Sequence, residues 1–215
     1  MTESVEKGSP KLRVASTILL IMTGVTGIVD AVSFIGLGHV FTANMTGNIV
    51  LLGFALGGAT EMSAPLSLLA LAAFLMGALM GGRMWPGGEK GSIVPAIGAE
   101  AGLLAAAAAV SAIVPGPSKI YGVIAASALA MGLRNAVVRK MAIPDLTTTV
   151  LTLTVTGIAA DSSLAGGVNP RWQRRVAAVA AMLLGAAVGA AMVQRSMTAT
   201  LALCAAITTA CALAR

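Results

Sequence analysis

Eight apolar segments, separated by short connections rich in glycine, proline and charge, make up most of this chain and constrain its fold. With 57% hydrophobic and only 10% charged residues, the chain has more apolar side chains than one globular core can bury, since soluble domains carry about 25% charged residues. Its low aromatic content favours close-packed membrane helices over barrel strands. The segments cover residues 14–37, 40–59, 63–82, 93–114, 119–138, 143–161, 174–194 and 197–214.

The membrane domain divides into two related halves, residues 14–114 and 115–215, behind a tail of residues 1–13. Three motifs of the first half recur in the same order in the second, at offsets of 105, 101 and 108 residues. The pairs are Gly27-Ile-Val-Asp30-Ala-Val with Gly132-Leu-Arg134-Asn135-Ala-Val, Asn44-Met-Thr46-Gly-Asn48 with Asp145-Leu-Thr147-Thr148-Thr149, and Gly77–Gly81 with Gly185–Gly189. We therefore predict an internal repeat, as in many transporters.

The distribution of basic residues favours an inverted relation between the two halves. If all eight segments cross the membrane, the repeats are parallel and the loops carry eight basic residues inside and five outside. If segments two and six re-enter, the repeats are inverted, and the count becomes eleven against two. The second count agrees better with the positive-inside rule. The predicted fold is an all-α integral membrane protein with about six membrane-spanning helices and two broken or re-entrant helices, its N-terminus cytoplasmic.

Segments two and six each combine a polar start with an apolar end, which indicates an extended stretch followed by a short helix inside the membrane. Thr46 or Asn48 is suited to cap the first of these helices, and Pro144 places the start of the second near Asp145. Helix N-termini carry partial positive charge and suit an anion or a polar solute. Threonines of membrane helices also bond their own backbone without further function. The candidate substrate-binding residues are Thr42, Asn44, Thr46, Asn48, Arg134, Asn135, Asp145, Thr147, Thr148 and Thr149.

Two charged residues, Asp30 and Arg134, lie inside apolar segments, where a charge is costly and therefore a functional candidate. One interpretation pairs them in a structural salt bridge. Another assigns a coupling proton or cation to Asp30 and a substrate anion to Arg134, and a third has Arg134 extend to the interface. Glu100 is a further candidate for a coupling or structural charge. His39, at a segment edge, can titrate near neutrality but has the position of a surface residue.

The remaining motifs predict packing. The small-residue faces of Gly77, Gly81, Gly185 and Gly189 indicate helix contacts and permit a homodimer without requiring one. Cys204 and Cys211 are seven residues apart on one helical face, about 10 Å along the axis, which excludes a disulfide.

No metal site, cofactor or enzymatic activity is predicted, because phosphate-binding, HExxH and nucleophile-elbow motifs do not occur. The net charge of +6 reflects membrane topology, so no nucleic-acid partner is expected.

The polar motifs resemble those of the bacterial YoaK family of membrane proteins. The resemblance rests on Gly27-Ile-Val-Asp30-Ala-Val-Ser-Phe, Phe41-Thr-Ala-Asn-Met-Thr-Gly-Asn48, the run from Gly132 to Lys140 and the threonines 147–149. The chain departs from it in Thr-Leu-Thr after Leu151, where a glycine is expected. The resemblance implies residence in the bacterial inner membrane and no established activity. A more distant likeness, to the core repeats of SulP-type anion transporters, is an analogy of architecture.

Three functions fit these observations. The first is a secondary transporter for a small polar or anionic solute that binds between the two broken helices near the bilayer midplane. The second is a membrane scaffold or accessory protein, in which the motifs serve folding and assembly. The third is a passive channel, since paired re-entrant segments also build pores.

Overall fold

A computed structural model of the chain describes residues 10–84, 93–141 and 151–214. The described part forms eight α-helices, one in each predicted apolar segment, and a turn of 3₁₀ helix at Ser163–Ala165. The all-α prediction is therefore confirmed. The helices are α1 Pro10–Gly36, α2 Met45–Leu56, α3 Ala64–Met84, α4 Val94–Ile113, α5 Lys119–Met141, α6 Leu151–Ala160, α7 Trp172–Val193 and α8 Met197–Leu213.

The helices fall into two length classes. Five of them, α1 from Val14 onward, α3, α4, α5 and α7, are long and apolar enough to span a membrane. The 17 residues of α8 reach about 26 Å, close to the thickness of the hydrocarbon core. By contrast, α2 has 12 residues, which correspond to only about 18 Å, and the described part of α6 has 10, about 15 Å, because the description resumes at Leu151. The two short helices are those of segments two and six.

Glycines bring α3 and α5 into close contact. A Cβ atom at Gly77 would meet the backbone carbonyl of Leu129, and one at Gly81 would meet that of Leu133. Only glycine permits this approach, which is typical of membrane helix pairs. Because the residue numbers rise together along both helices, α3 and α5 run parallel.

The pair of α1 and α7 is built in the same way. Gly185 lies against the backbone of Gly24, and Gly189 lies against that of Ile28. The numbers again rise together, so α1 and α7 also run parallel. All four glycines of the small-residue faces thus lie at contacts within the chain, and a homodimer, which stays a prediction, needs another surface.

The first helices of the two halves, α1 and α5, run in opposite directions. Leu19 near the start of α1 shares an apolar cluster with Val138 near the end of α5. Val32 near the end of α1 shares another with Ile124 near the start of α5. These contacts fix the relative direction of the two helices as antiparallel.

The last helices of the two halves, α4 and α8, are antiparallel as well. Ile97 near the start of α4 clusters with Cys211 near the end of α8. At the other end, the hydroxyl oxygens of Ser111 and Thr198 are 3.0 Å apart in a hydrogen bond. Cys204 and Cys211 are both buried and free, as the helical spacing predicted.

The basic residues at the ends of these helices concentrate at one end of the molecule, which we call the basic end. It is the end at which α1 and α7 begin and α3 and α5 finish, and it carries Arg83, Arg139, Lys140, Arg171, Arg174 and Arg175. The Lys140 ammonium donates to the carbonyl of Gly82 at 2.6 Å and so satisfies a backbone acceptor at the end of α3. Lys119 and Arg195 lie at the opposite end.

Candidate functional site

After α1 the chain turns back into the interior before α2 begins. Leu37 and Val40 belong to the same apolar cluster as Val32, in the last third of α1. Ala43 belongs to a second apolar cluster, which contains Val25 and so lies nearer the middle of α1. Residues 37–44 therefore run back alongside α1, and α2 starts inside the bundle. The predicted extended stretch followed by a short helix is confirmed for the second segment.

The Asp30 carboxylate fixes this turn. Its Oδ1 accepts hydrogen bonds from the backbone amides of Thr42 at 3.2 Å and Ala43 at 2.8 Å. The side chain is only 5% exposed. These two bonds satisfy amides that would otherwise be buried without a partner, at a cost of about 1–3 kcal/mol each.

A second side chain, Asn48, closes the turn from the other side. Its Oδ1 accepts from the amide of Phe41 at 2.9 Å, and its Nδ2 donates to the carbonyl of the same residue at 2.5 Å. Asn48 and Thr42 are both fully buried, and the Thr42 hydroxyl bonds that of Ser33 at 3.5 Å. Both candidate substrate-binding residues thus bond neighbouring groups of the protein and hold the backbone in place.

The cap of α2 differs from the expectation. Asn44 is the N-cap, and its Oδ1 accepts from the amide of Gly47 at 3.3 Å. Thr46 and Asn48, the predicted caps, lie inside the first turn, because the helix begins at Met45. His39 is exposed on the turn before α2, as expected, with a left-handed backbone (φ 58°).

The interior ion pair joins Arg134 to Glu100, and not to Asp30. Arg134 Nη1 lies 2.9 Å from Glu100 Oε1, and both side chains are almost completely buried. The guanidinium also donates to the carbonyl of Met22 at 3.1 Å and to the hydroxyl of Thr26. The expected Asp30–Arg134 bridge and the extension of Arg134 to the interface are both wrong, because Glu100 on α4 meets this guanidinium in the core. This cluster ties α1, α4 and α5 together.

Two cavities adjoin the start of α2. The larger cavity, of about 430 Å³, is lined by Ala43, Asn44, Met45, Thr46, Phe74, Ala78, Asn135, Ala136, Val138 and Arg139. The smaller cavity, of about 240 Å³, is lined by Thr26, Asp30, Ala43, Asn44, Leu151, Thr152 and Met182. Three predicted site residues, Asn44, Thr46 and Asn135, line the larger cavity. Ala43 and Asn44 line both cavities, so these last two residues before α2 lie between the larger and the smaller cavity.

The start of α6 lies across the smaller cavity from the start of α2. Leu151 and Thr152 form this wall. At its other end α6 is tied to the basic end, since Arg175 Nη1 contacts Asp161 Oδ2 at 2.7 Å and the carbonyl of Gly157 at 2.6 Å. Because α2 leads to the opposite end, α2 and the described part of α6 diverge from the cavity. The candidates Asp145, Thr147, Thr148 and Thr149 lie outside the described residues.

This arrangement has the chemistry of a site for a small polar solute. The N-terminus of α2 supplies partial positive charge, Asn44 and Thr152 bring polar side chains, and Asp30 brings a carboxylate. Sequence reasoning missed Thr26 and Thr152 as lining residues. The polar start of segment six was a signal for Thr152, whereas Thr26 is one of several threonines and serines of α1 and nothing in the sequence set it apart.

Comparisons with known proteins agree with the membrane fold. Residues 18–214 match the sequence profile of the family described as protein of unknown function (DUF1275). The UPF0700 transmembrane protein YoaK of Bacillus subtilis strain 168 is 36% identical over 159 residues, which cover 69% of this chain and 67% of that protein. The resemblance to the YoaK family is confirmed. No solved structure gives a significant match.

Proposed function

We propose that this chain, which belongs to the DUF1275 family of proteins of unknown function, is a secondary transporter for a small polar solute, preferentially an anion. It is a multi-pass membrane protein, as its relative YoaK is by name a transmembrane protein. The observation that carries the proposal is the pair of cavities on either side of Ala43 and Asn44, at the start of α2, the smaller of them bounded also by Leu151 and Thr152. A transporter needs such a solute-sized space, with polar groups in its wall, at membrane depth.

An inverted repeat is part of this proposal. It is supported by the antiparallel pairs α1 with α5 and α4 with α8, because each pair joins corresponding helices of the two halves. The glycine contacts correspond too. At the repeat offsets of 105 and 108 residues, the contact of Gly77 with Leu129 becomes that of Gly185 with Gly24. A two-fold axis in the membrane plane relates helices in this way.

The position of the turn before α2 supports a mechanism of alternating access. The larger cavity extends from Asn44 to Arg139 at the basic end, whereas the smaller cavity lies on the other side of Ala43 and Asn44. In the proposed cycle, movement of the α3–α5 pair against the α1–α7 pair exposes the solute first on one side of this turn and then on the other. Each pair is internally rigid because its glycines bring the two backbones into contact.

The proposed orientation places the basic end and the N-terminus in the cytoplasm of a bacterium, in its inner membrane, by the positive-inside rule. Single cysteines at Thr60 and Ser163, in a Cys204→Ala, Cys211→Ala background, test it. These residues are exposed in the corresponding α2–α3 and α6–α7 connections. A membrane-impermeant maleimide should label Thr60→Cys on intact cells and Ser163→Cys only after permeabilisation. Labelling of both from the same side would contradict the inverted arrangement.

Transport is tested with purified protein in liposomes and with labelled formate, nitrate, bicarbonate and phosphate, with urea and ammonium as neutral and cationic controls. A carrier gives saturable uptake and counterflow. Flux that does not saturate indicates a channel, and absence of flux for every solute leaves the scaffold function.

Substitutions of Asn44 test the preference for anions. Asp and Ser cap helices about as well as Asn, so Asn44→Asp and Asn44→Ser should both fold, as thermal unfolding in detergent will show. The Asp variant adds a negative charge where the two cavities meet. At roughly 6 Å and an effective dielectric constant of about 20, this charge should lower anion uptake roughly a hundredfold relative to the Ser variant. Equal uptake by the two variants would exclude an anion path past Asn44.

A further inference from the structure

One of the two carboxylate oxygens of Asp30 takes no part in the hydrogen bonds that hold the turn before α2. Oδ1 accepts both backbone amides, whereas Oδ2 has no hydrogen-bond partner within the described part of the chain. The side chain lines the smaller cavity although 95% of it is buried, given its 5% exposure. A buried carboxylate oxygen without a donor is unfavourable unless it is paired or protonated.

Among the described residues, none forms an ion pair with Asp30. Arg134 on α5 is paired with Glu100 on α4. From α8 comes the buried Cys204, which packs in the same apolar cluster as Ala43, and α7 contributes an uncharged methionine to the cavity wall. Of the described residues that line the smaller cavity, only Asp30 has a charged side chain. Asp145 lies outside the described residues.

The surroundings favour a proton over a metal ion as the partner of Oδ2. Within the described ranges no group of three or more His, Cys, Asp or Glu side chains is close enough to hold a metal. The N-terminus of α2 adds partial positive charge, which disfavours a metal cation and favours an anion. An ionised Asp30 would repel that anion, and a protonated Asp30 would not.

We propose that Asp30 is the proton-binding residue of this transporter and that its Oδ2 takes up one proton from water for each small anion held in the smaller cavity. The inference rests on the transport function proposed above. An O–H bond forms at Oδ2 and no bond of the solute changes, so the proton compensates the charge of the anion. Because binding linkage is reciprocal, the anion also raises the affinity of Asp30 for the proton.

The two oxygens of the Asp30 carboxyl group have different roles: Oδ1 holds the turn before α2, and Oδ2 takes the coupling proton. When Oδ2 carries the proton, Oδ1 remains an acceptor for the amides of Thr42 and Ala43. The turn before α2 therefore keeps its hydrogen bonds in both protonation states, while Oδ2 changes from an acceptor to a donor at the cavity wall. Asp30→Asn reproduces the protonated form, since its oxygen accepts the two amides and its amide group replaces the O–H donor.

The test is modification of the full chain in liposomes with dicyclohexylcarbodiimide, an apolar reagent that reacts with protonated carboxyl groups. The carboxyl proton moves to a carbodiimide nitrogen, the carboxylate oxygen adds to the central carbon, and the product rearranges to an N-acylurea that retains all atoms of both reactants. Peptide mass spectrometry should find the adduct on Asp30. Its initial rate should rise about tenfold for each unit by which the pH falls while the carboxylate is mostly ionised.

Glu100 is the control within the same chain, because it is equally buried but paired with Arg134 and absent from the lining of both cavities. It should remain unmodified throughout, and Asp30→Asn should fold normally and lose the adduct. Absence of modification at Asp30 at every pH, or a rate independent of pH, overturns the proposal. If modification occurs as expected but the liposomes show no solute flux, the proton site stands and the transport function fails.

Discussion

Arg134→Met should lower the free energy of unfolding by about 3–5 kcal/mol, because it leaves the Glu100 carboxylate buried without its partner. Both side chains of this ion pair are 2% exposed or less. Removal of the guanidinium also deprives the Met22 carbonyl and the Thr26 hydroxyl of a donor. The measurement is thermal or denaturant unfolding of the purified variant in detergent, beside the amount that reaches the membrane.

A second substitution identifies the partner of Arg134. Glu100→Gln in the Arg134→Met background removes the unpaired charge and should restore most of the lost stability, since a neutral pair of similar volume is often as stable as a buried ion pair. Asp30→Asn in the same background is the matched control and should restore little. Rescue by Asp30→Asn in place of Glu100→Gln would show that the ion pair is with Asp30 and would contradict the interior contacts described here.

The sequence predicted the helices well and the interior contacts less well. All eight apolar segments contain a helix, since length and hydrophobicity suffice to locate a membrane helix. The interruption in the second segment was also predictable, because Asn and Thr favour caps and turns. The partner of Arg134 was not. Asp30 occupies the corresponding place in the other half and suggested a bridge, whereas the proximity of Glu100 depends on how α4 lies against α5.

The sequence likewise did not reveal the different positions of the polar residues around the start of α2. Thr42, Asn44, Thr46 and Asn48 all belong to one motif, and each is chemically suited to bind a solute. The backbone path decides between them, because it buries Thr42 and Asn48 against the turn and leaves Asn44 and Thr46 at the cavities. Asn44 and Asn48 thus belong to one motif but occupy different environments, the first at the cavities and the second inside the turn.

A cross-link between Asn44→Cys and Thr152→Cys should form almost completely in the membrane. Both positions line the smaller cavity although they lie in different halves of the chain. In a background without the native cysteines, a protease site inserted at the exposed turn of Gly116 separates the halves. A short bis-maleimide should then keep the two fragments joined on a denaturing gel.

Leu56→Cys with Thr152→Cys is the control for this experiment, since Leu56 is the last residue of α2 and lies about 18 Å along the helix from its start. The central claim is that the starts of α2 and α6 face one cavity inside the bundle. It predicts joined fragments for the Asn44 pair and separate fragments for the Leu56 pair. Separate fragments for the Asn44 pair, with both cysteines shown to react with the reagent, would contradict it.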